Sequence, residues 1–189
     1  MSVLANFLVF QAGWFATVLG AANGAPWLGP VAVLAAVVLH LRTANDAAAE
    51  LRLLASAVAL GLVADSLLLA SGWIAYPNGS WVPGLAPYWI VTLWALFATT
   101  LNVSMRWMAG RYLLAALFGA IGGPLSYLAG ARLGAMTFVD TGSAVTALAI
   151  GWGLAMPLLM WLAARFEQRG RTQRPAFIKD SWREAKDNA

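Results

Sequence analysis

Asp65 lies inside Gly61-Leu-Val-Ala-Asp-Ser-Leu-Leu-Leu-Ala-Ser-Gly72, with apolar sequence on both sides. A carboxylate at mid-membrane costs about 2.5–3.5 kcal/mol on insertion scales, so such a group is kept for a partner or a function. Two chemistries suit it: a buried polar or protonatable anchor for a ligand, and a general acid or base. The structural alternative is a hydrogen-bonded Asp that joins two helices. Gly61, Asp65 and Gly72 fall near one helical face, where small residues admit a close neighbour.

The segment Gly122-Gly-Pro-Leu-Ser-Tyr127 is the natural counterpart of Asp65. At 1.5 Å per residue, Asp65 sits about 21 Å along its helix, and this segment reaches about the same depth on a later one. Gly122, Gly123 and Pro124 predict a helix break, loosened or kinked, with freed carbonyls. Irregular backbone at that depth is tolerated only against protein or a wet cavity. Arg132 follows and can snorkel inward on its long stem. Asp65, Ser126, Tyr127 and Arg132, with Asp140 at the rim, are therefore expected to line one outward-opening pocket. Separate roles are the alternative: an Arg132–Asp140 pair in a loop, and a Gly-Gly-Pro kink that serves packing.

Thr99, Asn102 and Arg106 are spaced i, i+3, i+7 and are expected to share a face at a deeper level, with Gln11 in the same half of the chain's first helix. This inner polar cluster reads as a second gate or as interhelical hydrogen bonding. His40 sits at a helix end, an interfacial position. No Walker A loop, G-x-S-x-G elbow or H-E-x-x-H helix occurs. One histidine and no cysteine leave too few ligands for zinc or haem, so neither metal nor cofactor is expected.

The elements that must position these groups are membrane spans. Of 189 residues, 61% are hydrophobic and 11% charged, and the mean hydropathy is +0.71. Soluble domains carry about 25% charged residues. The composition excludes an ordinary soluble enzyme, a disordered chain and a nucleic-acid-binding domain, because the pI near 10 arises mostly from the last 25 residues, which hold seven basic and four acidic groups. About 20 apolar residues span a bilayer core. Six stretches qualify, near 3–22, 27–41, 51–73, 87–104, 109–131 and 143–164. The fold class is all-α, a polytopic six-helix transmembrane bundle over 1–164. The first stretch has no basic n-region and is long for a signal peptide.

Arg42 and Arg52 flank one short loop, Arg106 and Arg111 another, and the tail is basic, which predicts both termini on the cytoplasmic side. Only Arg132 opposes the pattern. Trp27, Trp73, Trp81 and Trp89 are expected at the outer boundary and Trp107, Trp161 and Trp182 at the inner one. Residues 165–189 form a basic tail. Ser181 and Glu184 have capping-box spacing, and Phe177, Ile178 and Trp182 would share a face, which suits a short interfacial helix on anionic lipid; a solvated tail is the alternative. The Gly119, Gly123, Gly130 and Gly134 series is a helix-packing signature.

Phe7-Leu-Val-Phe-Gln-Ala-Gly-Trp14, Leu101-Asn-Val-Ser-Met-Arg-Trp107 and Gly119-Ala-Ile-Gly-Gly-Pro-Leu-Ser-Tyr-Leu-Ala-Gly-Ala-Arg-Leu-Gly134 resemble an uncharacterised bacterial inner-membrane family, domain of unknown function 2878. The resemblance implies a compact helical bundle in a bacterial inner membrane and carries no catalytic residues. From the residues, the expected partners are the lipid bilayer and a small amphiphilic ligand, a lipid or lipid precursor, with no nucleic acid. An intramembrane lipid-modifying enzyme and a substrate-recognition subunit of a larger complex are the competing readings. Oligomeric state stays open, since small-residue faces serve within and between chains alike.

Overall fold

The computed structural model describes residues 1–172, with side chains through residue 168. Six helices carry the chain: α1 Val3–Ala22, α2 Leu28–Thr43, α3 Ala47–Ala70, α4 Tyr88–Leu101, α5 Tyr112–Arg132 and α6 Thr141–Thr172. Four of them, α1, α3, α5 and α6, are long and apolar enough to cross a membrane. Ser2 and Asp46 cap α1 and α3 through their side chains, each accepting from the amide three residues on, as good N-caps do. The tail residues Phe177, Ile178, Ser181, Trp182 and Glu184 lie outside the described residues.

One of the two short helices, α4, differs from the sequence expectation for a physical reason. Sequence predicts a span over 87–104, yet α4 stops at Leu101 after 14 residues, about 21 Å of helix. Its exposed carbonyl end is satisfied from another element. Asn6 of α1 donates to the Thr99 carbonyl at 3.0 Å and accepts from the Ser104 hydroxyl at 2.7 Å. Asn6 is buried to 1% exposure, so one side chain takes over the Thr99 carbonyl, while the Thr100 carbonyl accepts from the Val103 and Met105 amides. The chain then turns through a short 3-10 helix, Arg106–Met108, into α5.

α4 is the hub. It packs against α1, α2, α3 and α6, while α1–α2, α3–α6 and α5–α6 pack around it and α5 rests almost wholly on α6. Its Trp89, Ile90, Trp94, Leu96, Ala98 and Leu101 are buried. Helices α1 and α5 therefore face one another across a gap rather than closing a ring.

The connections 23–27, 71–87 and 133–140 gather at one end. Two-residue strands β1 Ile74–Ala75 and β2 Thr137–Phe138 pair antiparallel there, and Asn78 donates to the Ala21 carbonyl at 2.8 Å. Trp89 donates to the Asn78 carbonyl at 2.9 Å and is fully buried. This indole, the second residue of α4, is a core side chain under the 71–87 connection. Trp27, Trp81, Trp107 and Trp161 are each about half exposed.

Candidate functional site

Asp65 occupies the middle of the bundle at 1% exposure. It is there because α3 presents Gly61 and Asp65 to α4: a Cβ at Gly61 would fall inside the Trp94 indole ring. That close approach lets Trp94 donate its Nε1–H to Asp65 Oδ2 at 2.8 Å. The Tyr127 hydroxyl of α5 donates to Oδ1 at 2.5 Å. No cation pairs with Asp65 among the described residues; Arg106 pairs with Glu167, and His40 meets Glu50. Asp65 is held by neutral donors alone.

Trp94 stacks on Trp152 of α6, with ring centroids 4.4 Å apart and planes 11° from parallel. Gly119 and Gly123 of α5 make room for Trp152, since a Cβ at either would strike its backbone or ring. The helix continues through Gly122, Gly123 and Pro124, where the sequence predicts it to be loosened or kinked. α5 runs unbroken from Tyr112 to Arg132 with Pro124 inside it, and two of these small residues serve close packing instead.

Trp152 walls two cavities between the helices, and Trp94 joins it in the first. One, about 410 Å³, lies between α3 and α6, with Asp65, Tyr127 and Trp73 in its wall and Leu60, Val63, Leu154 and Leu158 along its length. The other, also about 410 Å³, fills the gap between α1 and α5 and is lined by Phe7, Gln11, Phe97, Gly122 and Ser126 among others. Both fall within the 300–1,000 Å³ of ligand pockets and have the expected apolar lining with few polar groups. A small void of about 60 Å³ beside Ser126 and Tyr127 lies behind the second.

Of the residues expected in one pocket, Asp65 and Tyr127 meet directly. Ser126 turns to α1 and accepts from Trp14 Nε1 at 3.2 Å, the bond that bridges the α1–α5 gap. Arg132 is exposed at the end of α5. It forms no ion pair with Asp140 within 4.0 Å; Asp140 instead caps α6, accepting from the Ser143 amide and hydroxyl at 3.1 and 2.7 Å. These bonds hold the exposed Asp140 carboxyl below its ordinary value. At that end Ile74, Ala86, Trp89 and Met136 are buried together with Tyr127, and an open cavity of about 530 Å³ lined by Asp140 and Ser143 shares Trp73 and Ala147 with the Asp65 cavity.

The inner cluster also differs from its predicted form. α4 ends before Asn102, so Thr99, Asn102 and Arg106 do not share a helical face. Thr99 bonds the Leu96 carbonyl, Gln11 lines the α1–α5 gap, and Arg106 pairs with Glu167 at 3.1 Å. Asn102 donates to Glu50 Oε1 at 2.9 Å, and His40 Nε2 meets Glu50 Oε2 at the same distance. Sequence reasoning missed Glu50, His40 and Asn6 as partners, because groups near helix ends read as interfacial. It also missed Trp94, for which the Gly61 spacing is the available signal. Among the described residues no three His, Cys, Asp or Glu side chains gather as a metal site would require.

The family model described as a protein of unknown function (DUF2878) matches residues 3–158, most of the chain. No curated protein and no solved structure matches it.

Proposed function

We propose that this chain, which belongs to the DUF2878 family, binds or moves a small amphiphile, a lipid or lipid precursor, inside the membrane. The observation that carries the reading is a buried carboxylate, held only by the neutral donors of Trp94 and Tyr127, in the wall of an apolar cavity between α3 and α6. An amphiphile suits that combination: the chain lies along Leu60, Val63, Leu154 and Leu158, and the polar end reaches Asp65. The reading takes entry to be lateral from the bilayer, between α3 and α6, whose apolar side chains line the cavity.

The reading includes a bacterial inner membrane with both termini on its cytoplasmic side. Its support is the charge pattern: Arg42, Arg52, Arg106 and Arg111 flank connections at the end that holds the termini. Positive residues in short loops favour that side. The basic tail is read as contacting anionic lipid there. The competing enzyme reading needs a second acid–base group beside Asp65. Arg132 is exposed and Asp140 is spent on a helix cap, which leaves Tyr127 alone, so binding is favoured over chemistry.

The test is mass spectrometry of the lipids that copurify with wild type and with Asp65→Asn. Asn keeps the shape and still accepts one hydrogen bond, so the fold is expected to survive. The reading predicts one amphiphile enriched over bulk lipid in wild type and depleted at least about tenfold in the variant, the equivalent of one strong polar contact. Equal enrichment in both proteins would reject the anchor role.

A further inference from the structure

The cavity between α1 and α5 differs in kind from the one that holds Asp65, and the two share Trp152 alone among their lining residues. Aliphatic side chains such as Leu60, Val63, Leu154 and Leu158 run along the first. Around the second stand six aromatic rings: Phe7, Phe10 and Trp14 of α1, Phe97 of α4, Phe118 of α5 and Trp152 of α6. Residues 7, 10, 11 and 14 reach it together because their i, i+3, i+4, i+7 spacing makes one helical face. Aliphatic walls accept any flexible chain, whereas aromatic walls favour a flat ring that stacks on them or meets them edge-on. No acidic or basic side chain lines this cavity. A charged group there would lose water and gain no partner, so the occupant is uncharged.

Two polar side chains in the wall have bonding capacity to spare. Gln11 has no hydrogen-bond partner among the described residues, although it lies within an apolar helix long enough to cross a membrane. Ser126 accepts from Trp14 Nε1 at 3.2 Å, while its own hydroxyl proton has no acceptor among the described residues. Helices α1 and α5 begin at the same end, where Asn6 meets Ser104. Gln11 therefore lies about 12 Å along and Ser126 about 21 Å along, a difference in level of about 9 Å. A ring seated between those levels would take a hydrogen bond at each edge.

Gly122 keeps that space clear. A Cβ at Gly119 or Gly123 would strike Trp152, but at Gly122 it would meet only Phe118 Cε1, at 3.9 Å. Glycine inside a helix is unfavourable relative to alanine, and no neighbouring helix approaches Gly122 closely enough to require it.

We propose that the α1–α5 cavity is a second ligand site, which takes an uncharged planar ring with carbonyl oxygens and an apolar tail, the chemistry of an isoprenoid quinone. Gln11 and Ser126 donate to oxygens on opposite edges of the ring, and the aromatic side chains pack against it. The site uses neither Asp65 nor Tyr127 and does not depend on the amphiphile reading.

The test equilibrates purified full-length protein in one detergent with decylubiquinone, 1-phenyldecane or hexadecane at equal mole fraction, and counts bound masses by native mass spectrometry. Decylubiquinone is expected to bind about tenfold or more tighter than phenyldecane, whose ring has no acceptor, and than hexadecane. Gln11→Leu should weaken decylubiquinone about tenfold and leave phenyldecane unchanged, with no fall in melting temperature because no internal bond is lost. Gly122→Leu should fill the space and weaken both ring compounds together. Equal binding of all three probes would overturn the proposal in favour of a slot for any lipid chain. Decylubiquinone that fails to bind beyond partition into empty micelles, or whose affinity neither variant changes, would overturn it as well. A dimer in wild type that binds no probe and dissociates in Gly122→Leu would assign the cavity to a second copy of the chain. Each of these failures leaves the Asp65 cavity untouched, since Gln11 and Gly122 lie outside its wall.

Discussion

Asp65 and Glu50 are two acids that each gather polar side chains, and each makes a residue-scale prediction. Trp94→Phe keeps most of the ring but strands Asp65 Oδ2, whose 2.8 Å donor is lost. An unsatisfied buried acceptor costs about 1–3 kcal/mol, and thermal denaturation in detergent should show that drop. Glu50→Ala strands both His40 Nε2 and the Asn102 amide, so it should lose stability on the same scale, about 1–3 kcal/mol. Glu50→Gln, which retains an acceptor, should lose less. Asp65 was legible because a carboxylate inside an apolar run has few excuses, and Tyr127 because depth counting put it at the same level. Trp94 was not, because the sequence does not say which neighbour an indole within a span faces; only the side-by-side packing of α3 and α4 brings its Nε1 to Asp65.

At the scale of elements, glycine placement determines how closely the helices approach. Gly61→Ala would drive a methyl into Trp94, and Gly123→Ala into Trp152. Overpacking of this kind costs about 1–3 kcal/mol, and both variants should lower the melting temperature, with Gly61→Ala also weakening amphiphile binding. Pro124→Ala carries the opposite expectation: α5 is already continuous, so the variant should melt no lower than wild type. The N-terminus of α6 responds to pH through Asp140, which is exposed and held below its ordinary value by Ser143. A folded value below the unfolded one means that the cap stabilises above the unfolded carboxylate range and is lost as pH falls through the folded value. Hydrogen exchange at the Ser143 amide should therefore gain less protection at pH 3 than at pH 6 once intrinsic rates are divided out; equal protection would contradict the cap. Helix number and order were readable from hydropathy. The early stop of α4 was not, because it depends on Asn6, almost a hundred residues away in sequence, taking over the carbonyl of Thr99.

For the whole molecule, the central α4 and the unclosed α1–α5 gap leave cavities between the helices as well as at the two ends of the bundle. Composition and span length made the membrane class plain from the outset, whereas the direction of opening depends on how the 71–87 and 133–140 connections fold over one end. The chain has no cysteine, which makes its orientation directly measurable. A membrane-impermeant maleimide should label Ser80→Cys in intact cells and Ala109→Cys only after permeabilisation; the reverse would invert the proposed topology. The claim on which the account stands is that an amphiphile lies between α3 and α6 with its polar end at Asp65. The most direct measurement places a photoreactive benzoylphenylalanine at Leu154, in the wall of that cavity, or at Leu34, exposed on α2, and weighs the adducts after irradiation of cells. The account predicts one dominant amphiphile adduct at Leu154, absent at Leu34 and lost when Asp65→Asn is added. Indistinguishable bulk-lipid adducts at both positions, unaffected by Asp65→Asn, would contradict it.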